Sequence, residues 1–440
     1  MKLLIYLPKV TSRNRYAIKT VFRTYLQFND FELSTNSEEY SDYQGPKFSY
    51  SSRQIEGKVH ISAYGLLEER GINEQNISIG EYEGITTLFP VSQSSALPYD
   101  PFSAIFYMIS RYEEYLPHLR DQYDRFTSKE SVSKKYNFLH VAVVDRWVSQ
   151  LQLILKREFP ELEFPKRKFK YIPTVDIDNA FAYKEKGFLR TVGSILRSVS
   201  KLDFKSLITQ IRVLSRSRKD PFDTYNYQLN IQKKYGLDPI YFFLLGDYGL
   251  NDKNLSHENR TFQSLVRSIA DYSKIGIHPS FGSNNKLGQL RKEIKRLERI
   301  VKREVKKSRQ HFLKLRLPET YRNLIEEDIQ EDYTMGFANE LGFRAGTCTP
   351  YPFYDLDEEV ECKLTVFPFQ LMESTLKYYL KLPIEQSIIE IKKIIDEVKH
   401  VEGTFISLWH NESLSDEMEW EGWKNVFESM IAYAVEQQEK

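Results

Sequence analysis

The sequence predicts an α/β protein in two parts. A smaller α+β part spans residues 1–165, and a larger one, over 166–440, alternates strands and helices around a mostly parallel sheet or barrel. Three observations carry this. After residue 166, apolar runs rich in β-branched and aromatic residues alternate with amphipathic helical patterns. Residues able to do chemistry collect where those runs end, and α/β sheets place their sites at the carboxyl ends of strands. Ahead of this alternation lies Pro160 to Lys170, charged and proline-containing, which reads as a linker. The 440 residues suffice for two or three domains with sizeable cores, and 41% hydrophobic with 28% charged residues is ordinary globular composition.

Taken in order, Met1 to Lys9 reads as a first strand. Its apolar run is too short for a signal peptide and meets Pro8 and Lys9. Asn36 to Ser52 reads as polar loop. Pro101 to Tyr115 is helical, and Val141 to Phe159 places Val144, Trp147, Leu151 and Ile154 at helical spacing. Phe169 to Asp178 leads β-branched and aromatic residues into two carboxylates. Pro239 to Leu245 is a buried-strand pattern, and Asp271 to His278 approaches another strand. Leu287 to Lys307 repeats Leu290, Ile294, Leu297 and Val301 on one helix face, and Thr404 to His410 is a last strand.

The bulk numbers exclude more than they assign. A formal net charge of +1 provides no general attraction to nucleic acid. Two cysteines, Cys348 and Cys362, do not make a disulfide scaffold and fit a reducing compartment. No stretch approaches the roughly 18 apolar residues of a membrane span, so a cytoplasmic protein is expected. Aromatic residues at 14% suit carbohydrate stacking without demanding it.

The chemistry centres on Thr174-Val175-Asp176-Ile177-Asp178. Strand alternation turns residues two apart to one side, so both carboxylates can converge. Two carboxylates there are costly to desolvate unless a cation or a proton offsets their charge. His278, His311 and His410 also fall at apparent strand ends. Aspartate and histidine donors suit Zn²⁺ or a similar divalent ion with one position open for water. The pattern Asp-x-Asp also occurs in metal-dependent glycosyltransferases, but that use leaves His278 and His410 without a role.

With these residues in place, 167–415 resembles the polysaccharide deacetylases of the NodB-homology type, carbohydrate esterase family 4. Thr174 to Asp178 is similar to that family's first motif. His278-Pro279-Ser280-Phe281-Gly282 keeps the first histidine of the second motif, with Gly282 where the other would stand. Ser308-Arg309-Gln310-His311-Phe312 matches the third motif. Asp332-Tyr333 with Gly342-Phe343-Arg344 loosely matches the fourth, and Ser407-Leu408-Trp409-His410 the fifth. The resemblance implies a distorted (β/α) barrel that removes N-acetyl, or O-acetyl, groups from a carbohydrate. It implies a metal, Zn²⁺ foremost, on Asp178 and His278. His311 is the expected substitute for the missing ligand, with Ser283 and Asn284 as lesser candidates. It further implies Asp176 as base, Arg309 as its positioning partner and His410 as acid, with Asp332, Tyr333, Arg344 and Trp409 in the substrate groove.

The first part also resembles an uncharacterised domain that precedes some of these deacetylases, through Ser110 to Tyr115, Asp124-Arg125-Phe126 and Val144 to Trp147. Those charged residues are expected to make interdomain contacts. Between Lys184 and Lys219 the chain carries ten Lys or Arg against Glu185 and Asp203, with Leu189, Val192, Leu196 and Val199 at helical spacing. Such a segment suits an anionic membrane surface, which would bring a lipid-linked sugar within reach. The plainer expectation, and the favoured one, is a surface helix whose apolar side is core. A catalytically silent sugar-binding relative is the main alternative function. The sugar and the oligomeric state are not legible in these residues.

Overall fold

A computed structural model describes residues 2–92 and 94–439. The first four strands, β1 (Leu3–Tyr6), β2 (Phe31–Ser34), β3 (Lys47–Ser51) and β4 (His60–Ser62), form a parallel sheet in the order β2-β1-β3-β4. An antiparallel hairpin follows, β5 (Ile79–Tyr82) with β6 (Ile85–Leu88). Helices lie between β1 and β2 and between β2 and β3 but not between β3 and β4, so this part joins parallel strands to an antiparallel hairpin and a later run of helices. The stretch taken for loop holds the helix Ser37–Asp42, capped by Asn36, and then β3. Elements this short show too few repeats for a period to register.

The helix expected over Pro101 to Tyr115 is broken. Asp100 caps it, accepting the Phe102 and Ser103 N–H groups at 3.0 Å each, and it runs Pro101–Ile109. Arg111 then turns left-handed (φ 57°) ahead of a separate turn, Tyr112–Tyr115. The turn lets the buried Arg111 side chain reach Glu113 and Glu114 at 2.7 and 2.8 Å. The helix Val143–Glu158 buries Val144, Trp147, Leu151 and Ile154, as their spacing requires.

The second sheet is built from β7 (Lys170–Ile177), β8 (Ile240–Leu244), β9 (Lys274–His278), β10 (Lys307–Ser308), β11 (Glu331–Asp332), β12 (Tyr351–Asp355), β13 (Val360–Val366), β14 (Leu371–Met372) and β15 (Thr404–His410). Its order is β12-β13-β11-β10-β9-β8-β7-β15-β14, parallel throughout except for the β12–β13 pair. This sheet is strongly curled. Arg309, just beyond β10, donates to Thr174 Oγ1 at 2.6 Å and to Asp176 Oδ1 at 3.0 Å, both on β7 and three strands away. In a flat sheet those strands would stand about 14 Å apart, at ~4.8 Å per neighbour, beyond an arginine's reach. Ile240, Phe242, Leu313, Phe369, Ile406 and Leu408 fill the concave side.

The outer side shares one continuous apolar core with the first part, running from Leu3 to Val366. Ionic and polar contacts reinforce the junction. Arg13 meets Glu359 at 2.5 Å, Arg344 meets Glu114 at 2.6 Å, and the Asp145 carboxylate accepts from Thr347 Oγ1 at 2.7 Å. Two of the three charged segments expected to make interdomain contacts, Ser110 to Tyr115 and Val144 to Trp147, therefore lie there. The basic segment departs from the favoured expectation. It forms two helices, Phe188–Ser200 and Phe204–Leu214, and no residue of the first is buried. The long helix begun at Leu287 stops at Val301, where Lys302 turns left-handed, and the chain re-enters the sheet as β10.

Candidate metal centre

Strand ends bring the site together. Asp176 and Asp178 leave β7 on the same side. His278 ends β9, and His410 ends β15 opposite Asp176 in register. His311 follows β10 in a tight turn that Phe312 makes possible with φ 59°. The ligand atoms of Asp178, His278 and His311 lie within 4.8 Å of one another. His278 Nε2 stands 3.1 Å from Asp178 Oδ1, and His311 Nε2 stands 3.4 Å from Oδ2.

The ring orientations follow from the second nitrogens. His278 Nδ1–H donates to the Arg309 carbonyl at 2.5 Å, and His311 Nδ1–H donates to Asp252 Oδ1 at 2.8 Å. Both Nε2 atoms are left to face Asp178, the arrangement that metal-binding imidazoles require. Asp178 Oδ1 is a buried oxygen with no hydrogen-bond partner. One carboxylate and two imidazoles, with an orphaned oxygen among them, fit a divalent cation of the zinc type.

The charges agree with a cation site. Burial alone would raise the Asp178 carboxyl, but His311, His278 and His410 outweigh it and hold it well below the usual range. Burial likewise disfavours the charged form of His311, yet Asp178 and Asp252 together push it up to about 9. Asp176 is almost fully buried against Arg309, whose guanidinium also lies over the Phe242 ring at 4.7 Å. On the other side of Asp178, His410 Nδ1–H donates to Glu373 Oε1 at 2.7 Å, and His410 Nε2 is 3.8 Å from Asp178 Oδ2. Although burial opposes it, Glu373 holds His410 well above the ordinary histidine range. Glu412 is pushed up to about 7, mainly by burial.

Asp176, Asp178, His278, His311, His410 and Glu412 line a cavity of about 350 Å³ that also receives Arg125, Phe312, Tyr378 and Tyr379. Arg125 comes from the first part of the chain and is braced by the Phe312 carbonyl at 3.0 Å and the Tyr379 hydroxyl at 3.1 Å. Tyr378 and Tyr379 present partly exposed rings at this mouth.

The four residues expected in the substrate groove lie elsewhere. Trp409 neighbours His410 on a strand and so faces the opposite side, packed on Trp423 and Phe427. Arg344 is buried in the junction with Glu114. The Asp332 carboxylate accepts the Thr334 N–H and hydroxyl at 2.9 and 2.8 Å, with no exposure. Tyr333 donates to Glu331 and lines a different cavity, beside Lys170 and Ile172 at the amino end of β7. The lesser ligand candidates are also committed. Ser283 donates to the Ser280 carbonyl, and the Asn284 amide donates to the Lys314 carbonyl. Sequence reasoning missed Asp252, Glu373, Glu412 and Arg125. Asp252, Glu373 and Glu412 carry no motif signal, and Arg125, in Asp124-Arg125-Phe126, is expected from sequence only at the junction.

Residues 3–160 match DUF7033, a family of unknown function. No curated protein matches the chain. Among solved structures the chain is similar to a Mycobacterium smegmatis protein assigned as a polysaccharide deacetylase, at 14% identity and a TM-score of 0.41, over 62% of this chain and 86% of that one. It is similar to a CE4 family pseudoenzyme from Bacillus anthracis at 12% identity and a TM-score of 0.30, over 61% and 62% of the two chains. It is also similar to a polysaccharide deacetylase from Bacillus cereus at 11% identity and a TM-score of 0.27, over 59% and 88%.

Proposed function

We propose that this cavity hydrolyses an acetyl group, amide- or ester-linked, from a carbohydrate, on a distorted barrel of the NodB-homology kind. One observation carries the reading: the Asp178, His278 and His311 donors converge between an Asp176–Arg309 pair and a Glu373–His410 pair. Asp178, His278 and His311 would hold a divalent cation, Zn²⁺ foremost. When bound, such a cation supplies a Lewis acid, which can lower the pKa of a water to about 7.

The remaining roles fall to the chain's own side chains. Asp176, held by Arg309, accepts the proton of the attacking water, and its Oδ2 lies 3.7 Å from His278 Nε2. His410 is charged by its contact with Glu373 and gives a proton to the departing sugar amine or alcohol. Such acid–base help contributes typically ~10²–10⁴-fold. Arg309 and Glu373 are positioning residues. They fix the two reacting groups, and Glu373 also accepts the His410 backbone N–H at 3.0 Å. Tyr378 and Tyr379 offer aromatic faces for a sugar ring at the mouth.

The test is metal content beside acetate release. Purified wild type is expected to hold about one divalent ion per chain after Zn²⁺ is supplied. Asp178→Ala, His278→Ala and His311→Ala are each expected to lose it, together with acetate release from N-acetylated oligosaccharides. A wild type that binds metal but releases no acetate from any acetylated sugar would be a sugar-binding relative instead. One that binds no metal sinks the hydrolytic reading.

A further inference from the structure

The helices Phe188–Ser200 and Phe204–Leu214 form a hairpin that is amphipathic in the reverse of the usual sense. The polar side of the first helix turns inward. Arg190 donates to the Lys253 and Asn254 carbonyls, and Ser194 donates to Gln210 Oε1. Of the second helix, Thr209, Gln210 and Val213 are buried. Ile208, Ile211 and Leu214 of this helix, and Leu196 and Val199 of the first, point outward instead. Phe188 is 80% exposed, Leu189 85%, Leu202 at the turn 73%, and Phe204 60%. The surface continues onto the loop after β8, where Leu250 is 87% exposed and Tyr248 lies under the Arg190 guanidinium at 4.2 Å. Single exposed leucines need no explanation, but a continuous row along two helices does.

Charge decides what covers it. The hairpin and its flanks carry ten Lys or Arg against two acidic residues, in a chain whose net charge is only +1. Exposed Lys201 and Lys205 bracket the turn, and exposed Arg197, Arg212 and Arg216 rim the helices. Apolar side chains edged by long basic ones that can reach up to phosphate groups match the lipid–water boundary of an anionic bilayer. We infer that this hairpin docks the protein on an anionic membrane surface, with its apolar row in the headgroup layer and its lysines and arginines on lipid phosphates. The hairpin leaves the sheet at the carboxyl end of β7, just after Asp178, so docking sets the cavity at the edge of the membrane. The docking does not depend on the hydrolytic reading, because vesicle binding is measured without substrate.

The test is co-sedimentation of the full chain with vesicles of phosphatidylglycerol in phosphatidylcholine, beside vesicles of phosphatidylcholine alone, at low salt. Binding to the anionic vesicles is expected to be at least about tenfold tighter, and to weaken as salt rises. Leu189→Glu with Phe204→Glu is expected to abolish it. Lys201→Ser with Lys205→Ser leaves the apolar row intact and is expected to weaken it several-fold. Absence of binding to anionic vesicles overturns the inference, as does equal binding to both kinds. So does a dimer, seen by light scattering, that the glutamate pair breaks, because a second copy then covers the face.

Discussion

Asp252 illustrates how much of the site rests on residues that touch no reacting atom. Its carboxylate accepts the His311 Nδ1–H and the backbone N–H of Phe281 at 2.9 Å. It thereby ties the turn carrying His278 to the one carrying His311. Removing such an outer partner typically costs 10–100-fold in metal affinity. Asp252→Asn is therefore expected to weaken Zn²⁺ binding by about that factor while the fold persists, as read by competition with a chelator of known affinity. Unchanged affinity would mean that His311 needs no orienting, or that it is not a ligand. At this scale the sequence was legible where chemistry and position coincide: Asp176, Asp178, His278 and His410 all sit at strand ends. His311 was legible as a histidine near a strand end, and its role as a ligand only as the replacement for the histidine absent at Gly282. Asp252 and Glu373 were not legible, since nothing local distinguishes an acid that orients a histidine 59 or 37 residues away.

Among elements, β9 carries the tightest requirement. Gly276 pairs with Phe242 on β8, and a Cβ there would stand 2.5 Å from the Phe242 ring and 2.8 Å from the Lys307 carbonyl. The same ring supports the Arg309 guanidinium. Gly276→Ala is expected to destabilise by about 1–3 kcal/mol, the usual result of overpacking a filled interior, and to lower activity by displacing Arg309. Thermal melting beside acetate release checks both, and a variant as stable as wild type would show that Phe242 has room to move. The strands β7, β8, β9 and β15 and the helices Val143–Glu158 and Leu287–Val301 were legible because each carries enough repeats of its own period, whereas the helices Ile384–His400 and Trp423–Glu439 were not singled out. Fine structure was not. The break at Arg111 serves the pairings with Glu113 and Glu114, and the placement of Trp409 follows from which side of β15 is concave.

In the whole molecule the two parts are locked by buried charge. Glu114 sits between Arg111 and Arg344, at 2.8 and 2.6 Å. Burial alone would raise its carboxyl, but Arg344 and then Arg111 outweigh this and bring it to about 2. Since the folded value lies below the unfolded one, the pair's contribution is complete above the unfolded carboxylate pKa. It is lost as pH falls from about 4.5 toward 2. The contribution is on the order of 3 kcal/mol. Wild-type stability is expected to drop over that window. Glu114→Gln, which leaves two buried guanidiniums short of a carboxylate, is expected to lose ~3–5 kcal/mol at neutral pH and to show a flatter acid limb. Denaturant titrations across the acid range check this, and parallel profiles for the two proteins would dismiss it. No helix among the described residues is long and apolar enough to cross a membrane.

The sequence by itself determined the alternation of strands and helices after residue 166 and the collection of carboxylates and histidines at strand ends. Both are local properties, written in period and position. Only the tertiary structure decided that His311 joins Asp178 and His278, that Arg125 crosses from the first part into the cavity, and that Trp409, Tyr333, Asp332 and Arg344 point away from it. It also decided that the hairpin after β7 turns its apolar side outward. A helical period shows that a helix has two unlike sides, but which side meets the protein depends on partners distant in the chain, here Lys253 and Asn254 on the loop after β8.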